Sequence, residues 1–296
     1  MSRTIHVAAA QYPIESLASA TAWADKLARW VDEAASAGAQ LLVFPEYASM
    51  ETASFLLSSP SQEVAAHLDA VVDHAERADT VLAELAARHG VWILGASAPV
   101  RVDGRLHNRA TLFGPSGARG HQDKRVMTRF EREQWGVVGG ESFAVFDTPL
   151  CTLGVAICYD AEFPAIARRL AVAGAEVLLV PSCTDTARGY FRVRTGAQAR
   201  ALENQIAVVH APTVGLAPWS PAVDVNVGAA AVYVPPDLDF PDDGVVAIGV
   251  RDAPQWVHAE IDLDRLARCR VAGDVLNARD WPEQDAIDGC TRVRVE

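Results

Sequence analysis

Val155-Ala156-Ile157-Cys158-Tyr159-Asp160-Ala161-Glu162-Phe163-Pro164 joins a short apolar run to a polar turn closed by proline, with a cysteine at the junction. Leu153 to Ile157 is apolar apart from Gly154, as suits a strand covered on both faces, and Ala165 to Gly174 returns to helical periodicity with Arg168 and Arg169 outward. This order of strand, turn and helix carries the Cys158 thiol to a cleft beside a helix N-terminus. The partial positive charge there favours thiolate, the form that attacks electrophilic carbon. A cysteine after an apolar strand is otherwise a small buried hydrophobe, so its meaning depends on what the rest of the chain places beside it.

Upstream, strand and helix signals alternate. Ile5 to Gln11 reads as a strand, and Ser19 to Ala37 as an amphipathic helix with Trp23, Leu27, Trp30, Val31 and Ala34 at helical spacing before Gly38 ends it. The strand Gln40 to Phe44 breaks at Pro45, so Glu46 is the first carboxylate beyond a buried strand, where open α/β sheets place their sites. A helix cap or a solvated loop charge is the plainer reading of Glu46. After a loop from Met50 to Pro60, Gln62 to His89 forms a long helix, Val91 to Ala96 a strand, and Leu106 to Phe113 with Ala118 to Gln122 a hairpin. The hairpin ends at Asp123-Lys124-Arg125; taken alone, the charged run that follows is an exposed loop.

Downstream, Ser142 to Asp147 and Leu150 to Ile157 form a second hairpin ending at the cysteine. Glu176 to Val180 is a strand that stops at Pro181-Ser182-Cys183-Thr184-Asp185, Phe191 to Glu203 a helix, and Gln205 to His210 a strand. Pro212 to Asn226, rich in glycine, proline and alanine and holding Trp219, reads as a pocket-lining loop. Short strands follow at Val227 to Val234, Gly244 to Val250 and Trp256 to Ile261. Residues 1–265 read as one domain, and 266–296 as a C-terminal extension that packs on it or on a partner subunit.

Composition excludes several classes of function. Half of the 296 residues are apolar with no compositional break, which indicates a globular single domain, and the net charge of −12 argues against nucleic acid or an anionic membrane as partner. The cysteines, Cys151, Cys158, Cys183, Cys269 and Cys290, are odd in number and form no CxxC pair, so neither a disulfide framework nor a zinc site is expected. The opening Met1-Ser2-Arg3-Thr4 leads straight into a strand, and there is no apolar run of about 18 residues; a cytoplasmic protein is expected. No Gly-rich phosphate loop or metal-ligand spacing occurs.

Phe44-Pro45-Glu46-Tyr47, Asp123-Lys124 and Cys158-Tyr159-Asp160, at three strand ends in that order, together resemble the nitrilase superfamily of carbon-nitrogen hydrolases. Gly174-Ala175 with Pro181-Ser182, and Arg200-Ala201-Leu202-Glu203-Asn204-Gln205, extend the resemblance over nearly the whole chain. It implies an α/β fold built as a four-layer α-β-β-α sandwich, two stacked mixed sheets with helices outside, assembled as a homodimer or higher homo-oligomer. It also implies roles: Glu46 as general base, Cys158 as nucleophile, and Lys124 with the backbone amide of Tyr159 as stabilisers of the oxyanion. These are the parts that covalent acyl chemistry needs.

The resemblance further implies a second glutamate after the lysine, for which Glu131 is the expected residue and Glu133 the alternative. Cys183 departs from the residue often found at that place, which leaves the substrate side open; Thr184, Asp185 and Arg188 are further candidates there. The implied activity is amidase-type hydrolysis of a small amide without metal or cofactor. A nitrilase and an N-carbamoyl amide hydrolase would use the same residues. A non-catalytic binding module of the same fold would lack the base, the lysine or the nucleophile, all of which are present. A redox sensor would need a resolving thiol, for which Cys183 is the candidate.

Overall fold

The computed structural model describes residues 3–57, 61–285 and 289–295. Part of the expected loop ending at Pro60, part of the expected C-terminal extension and residues 1–2 of the expected strand lead-in therefore lie outside the described residues. The chain begins with β1 (Thr4–Pro13), α1 (Ala20–Ser36), β2 (Leu41–Val43), the short α2 (Ala53–Leu56) and α3 (Val64–His89). Next come β3 (Trp92–Leu94), β4 (Ala98–Val102), β5 (Arg105–Phe113), β6 (Arg119–Asp123), α4 (Arg129–Glu133), β7 (Val145–Asp147) and β8 (Thr152–Val155). The second half adds α5 (Pro164–Val172), β9 (Val177–Ser182), α6 (Ala187–Asn204), β10 (Ala207–Leu216), β11 (Val225–Asn226), β12 (Ala231–Tyr233), β13 (Val245–Ile248), β14 (Gln255–Asp262) and α7 (Leu263–Ala272).

The strands form two mixed sheets. In one, β1, β2 and β3 are parallel, β14 lies antiparallel along β1, and β5 continues from β3 with β4 and β6 on its flanks. In the other, β8, β9 and β10 are parallel, with β7 antiparallel at one side and β12 and β13 at the other. Past the end of β14, Tyr12 and Pro13 of β1 pair with Thr213 and Val214 of β10, joining the sheets at one corner.

Strand alternation sorts the side chains into layers. Ile5, Val7 and Ala9 of β1, with Leu41 and Val43 of β2, meet Leu153, Val155, Val177, Leu179 and Val209 between the sheets. The intervening Ala8, Ala10, Tyr12, Leu42 and Phe44 face α1 and α3, packing on Trp23, Leu27, Val31, Leu82 and Leu85. Ile166, Ala167 and Leu170 of α5 and Ala197 and Ala201 of α6 cover the second sheet. The layer order is thus helices, sheet, sheet, helices, and strands covered on both faces account for the near-continuous apolar runs in the sequence.

One expected loop is in part strand, and two features add to the expected elements. Ala98–Val102 is a strand paired with β5 through the two-residue turn Asp103-Gly104, whose φ values of 49° and 75° suit the right-handed twist of a hairpin. The segment Pro212 to Asn226 is not all loop, because β10 runs on to Leu216 and β11 pairs back onto it. The expected turn after the strand is a 3-10 turn that opens at Cys158, Cys158–Glu162, and α5 begins at Pro164, next to the expected helix start at Ala165. α6 lies against that turn at Gly196, where an added Cβ would stand 2.8 Å from the carbonyl oxygen of Ala161. No helix of the described residues is long and apolar enough to cross a membrane.

Candidate active site

Glu46, Lys124 and Cys158 follow the ends of β2, β6 and β8, and the stacking of the sheets turns these ends toward one volume. Pro45 stops β2, and Tyr47 turns the chain away with a left-handed φ of 54°. Cys158 is likewise left-handed, with φ 49°. Non-glycine residues in this region cost about 1–3 kcal/mol each and persist only where the surrounding structure holds them; here they flank the site from both sides.

Glu46, Lys124, Glu131 and Cys158 are 1%, 1%, 3% and 4% exposed, so their charges must be satisfied within the protein. Lys124 Nζ donates to Glu46 Oε1 at 2.7 Å and to Glu131 Oε2 at 2.6 Å. An ammonium has three N–H groups, so one remains for a ligand. Glu131 also accepts from the Tyr47 hydroxyl at 2.9 Å, from Asn108 Nδ2 at 3.3 Å, and from the Thr128 amide and hydroxyl at 2.9 and 2.8 Å. Glu46 has fewer donors: besides Lys124, Asn108 Nδ2 at 2.9 Å and the amide of Cys183 at 3.0 Å.

That inequality separates the two carboxylates. Burial pushes Glu46 up, and the neighbouring charge of Glu131 adds to it against the pull of Lys124, leaving the group at about 7. Burial acts on Glu131 too, but Lys124 and the Thr128 donors outweigh it and hold the acid below its ordinary value. Lys124 is opposed by burial, yet the two carboxylates keep it charged far above its usual range. The pair therefore divides the work of one cation: Glu131 carries a fixed charge, and Glu46 is poised to take and return a proton near neutrality.

The Cys158 thiol is raised well above its ordinary value, first by burial and then by Glu46, with Lys124 and the Cys183 backbone pulling the other way. This reverses the expectation of a resting thiolate, because a five-residue 3-10 turn supplies too little dipole to offset burial beside a carboxylate. Sγ lies 3.9 Å from the carbonyl oxygen of Cys183. A neutral thiol next to a carboxylate poised near 7 can lose its proton to that carboxylate as it attacks.

The other sequence candidates fall into groups. Glu133 points to solvent and pairs with Arg129 at 2.8 Å, so Glu131 is the glutamate of this helical turn that reaches the interior. Cys183 lies against both Glu46 and Cys158, while its own Sγ is 3.4 Å from Asn226 Oδ1. The Thr184 hydroxyl is occupied by the Val227 carbonyl at 2.7 Å. Asp185 and Arg188 are exposed and hydrogen-bond none of the four central residues. The Tyr159 amide is the second of its 3-10 turn, and the opening amides of a helical turn lack an internal acceptor.

Sequence reasoning missed a supporting shell. Asn108 bridges both glutamates and accepts from the Ser97 hydroxyl at 2.6 Å, and Ser97 Oγ in turn accepts from the Tyr47 amide at 3.1 Å. The Trp135 ring meets Tyr47 edge-on at 5.4 Å. Five residues past Glu46, the buried Glu51 anchors the same segment by pairing with Lys26 and accepting from the Tyr12 hydroxyl at 2.8 Å.

Comparison with known proteins bears on the family and the fold. The family model described as carbon-nitrogen hydrolase matches residues 6–270. Probable hydrolase YhcX of Bacillus subtilis is 34% identical over 277 residues, covering 93% of this chain and 53% of its own, so the chain spans about half the length of that relative. Omega-amidase NIT2-A of Xenopus laevis is 28% identical over 255 residues, 83% of this chain and 85% of that one. Among solved structures, Saccharomyces cerevisiae Nit3, a member of branch 10 of the nitrilase superfamily, superposes with a TM-score of 0.73 at 22% identity, covering 94% of this chain and 97% of that one. A carbon-nitrogen hydrolase from Helicobacter pylori gives 0.76 at 21% identity, over 97% and 96% of the two chains. With the matched span covering most of its length, the chain belongs to the carbon-nitrogen hydrolase family.

Proposed function

We propose that this carbon-nitrogen hydrolase is an amidase that cleaves a small linear amide to a carboxylic acid and ammonia through a Cys158 thioester. The observation that carries the reading is the carboxylate of Glu46, lifted to about 7 beside a neutral buried thiol and a lysine with one N–H to spare. Cys158 Sγ adds to the carbonyl carbon as its proton passes to Glu46. The oxygen that gains the electron pair is met by Lys124 and the Tyr159 amide. Collapse breaks the C–N bond, and the nitrogen leaves as ammonia with the proton from Glu46. Water then attacks the thioester, giving its proton to Glu46, and the released sulfur recovers that proton. Glu131 keeps Lys124 charged and placed throughout, which is electrostatic preorganisation of the oxyanion site. The name omega-amidase carried by several relatives supports reading the substrate as an amide.

A panel of aliphatic amides, N-carbamoyl amino acids and nitriles tests the substrate class. Ammonia is expected from amides; release from nitriles alone would contradict the reading. The pH dependence follows from Glu46, which must be unprotonated to accept the thiol proton. The kcat/KM profile is therefore expected to rise with pH through an acid limb near 7, belonging to the coupled set of Glu46, Lys124, Glu131 and Cys158. A limb at the ordinary carboxylate value, measured with the same amide, would place the base elsewhere.

A further inference from the structure

Asp160 belongs to the Cys158 turn but has no part in the proposed reaction. It is fully buried, and its two carboxylate oxygens accept the amides of Arg125 at 3.1 Å and Val126 at 2.8 Å, the two residues directly after Lys124. We propose that Asp160 is a positioning residue: its carboxylate ties the backbone after Lys124 to the turn that opens with Cys158, and so fixes the distance from ammonium to thiol and to Glu46. The proposal rests on the reading of these three as the reacting set.

The rest of the Lys124 backbone is held from elsewhere. Its amide donates to the Asn108 carbonyl at 2.9 Å and its carbonyl accepts from Gly140 at 2.8 Å. Both partners belong to the first sheet and its loops, so among these ties Asp160 is the one from the nucleophile's own turn. That turn is itself rigid: Asp160 donates its amide to Ile157 at 3.0 Å and accepts from Phe163 at 3.2 Å, and Arg200 of α6 donates to the Ala161 carbonyl at 3.2 Å. A planar carboxylate can receive two successive amides at once, and charge assistance makes such bonds about twice as strong as neutral ones. An asparagine in the same place keeps one acceptor and turns a donor toward the other amide. Burial lifts the Asp160 acid to about 6 against the pull of those amides and of Lys124. The other charged groups about the turn are Arg200 and the Glu162 to Arg192 pair at 3.5 Å; the Arg125 guanidinium is engaged by the Gly140 carbonyl.

The test is Asp160→Asn in the full chain, read by the pH midpoint of Cys158 alkylation with iodoacetamide, with the labelled peptide identified by mass. Lys124 pulls both Glu46 and the Cys158 thiol downward. If the tie places Lys124, loosening it shifts the midpoint upward, by about half a pH unit or more. Loss of the Asp160 charge with Lys124 still in place would shift it downward, since an anion leaves the neighbourhood. A role in folding alone would leave it unmoved. An upward shift supports the proposal; a downward or absent shift overturns it. Asp160→Ser, with one acceptor and no charge, is read in the same way if the asparagine variant does not accumulate. On an amide substrate, kcat is expected to fall about tenfold to hundredfold with KM nearly unchanged. A wild-type protein that hydrolyses no amide or nitrile would defeat the hydrolase reading alone, because the alkylation midpoint still decides whether Asp160 places Lys124.

Discussion

Lys124→Ala is expected to abolish turnover and to lower stability together. The ammonium is the single cation between two buried carboxylates, bonded to both. Removing one partner of a buried ion pair costs about 3–5 kcal/mol, because the remaining charge is left without compensation. For a chain of this length that corresponds to a fall in Tm of roughly 5–10 °C at neutral pH. The sign with pH is fixed as well. Without the cation, the acid of Glu46 rises further and that of Glu131 moves from below its unfolded value to above it, so folding takes up protons and the variant regains stability as pH falls. The Tm deficit should therefore be largest near pH 8 and smaller near pH 5. Thermal melts of wild type and variant across that range check it; a deficit independent of pH would mean that Lys124 does not hold the two carboxylates charged.

Cys158→Ala removes the same activity with little effect on stability. Loss of a nucleophile that acts as a unit with its base leaves turnover below about 10⁻⁴ of wild type. The thiol is a small group whose burial is worth about 1 kcal/mol, and it sits buried beside an acid that raises its pKa. Alanine keeps the Cβ and tolerates the left-handed backbone as poorly as cysteine does, so that strain is unchanged. Tm should move by no more than about 3 °C. A variant that melts much lower while keeping part of its activity would make Cys158 a packing residue and leave the chemistry without its nucleophile.

These contrasts follow from features of unequal visibility in the sequence. The layers were legible because strands covered on both faces leave largely unbroken apolar runs, as in Leu41–Val43 and Val177–Ser182, and Glu46 and Cys158 were legible because each is the first polar group after such a run. Lys124 follows the polar β6 and was marked only by its place at a strand end and the resemblance of Asp123-Lys124. The choice between Glu131 and Glu133 also had a local signal. Thr128 and Glu131 have the T-x-x-E spacing of a capping box, and the helical turn forms with that box in place, which turns Glu131 inward. The Asp103-Gly104 pair likewise carries a hairpin signal, although β4 was not among the expected elements.

Asn108, Ser97 and Asp160 gave no such sign. Their importance comes from partners 62, 50 and 35 residues away, in Glu46, Tyr47 and Arg125, and no periodicity encodes those contacts. The ionisation of Cys158 was misjudged for a related reason: proximity to a helix start can be read along the chain, whereas burial beside Glu46 is set by tertiary packing.

Acid-quenched mass spectrometry of the enzyme during turnover of an excess of a good amide substrate tests the central claim most directly. The account predicts that the peptide containing Cys158 gains the mass of one acyl group as a thioester, and that this gain is absent from Cys158→Ala. An acyl group found on Cys183 or on any other side chain, with the Cys158 peptide unmodified, would contradict it.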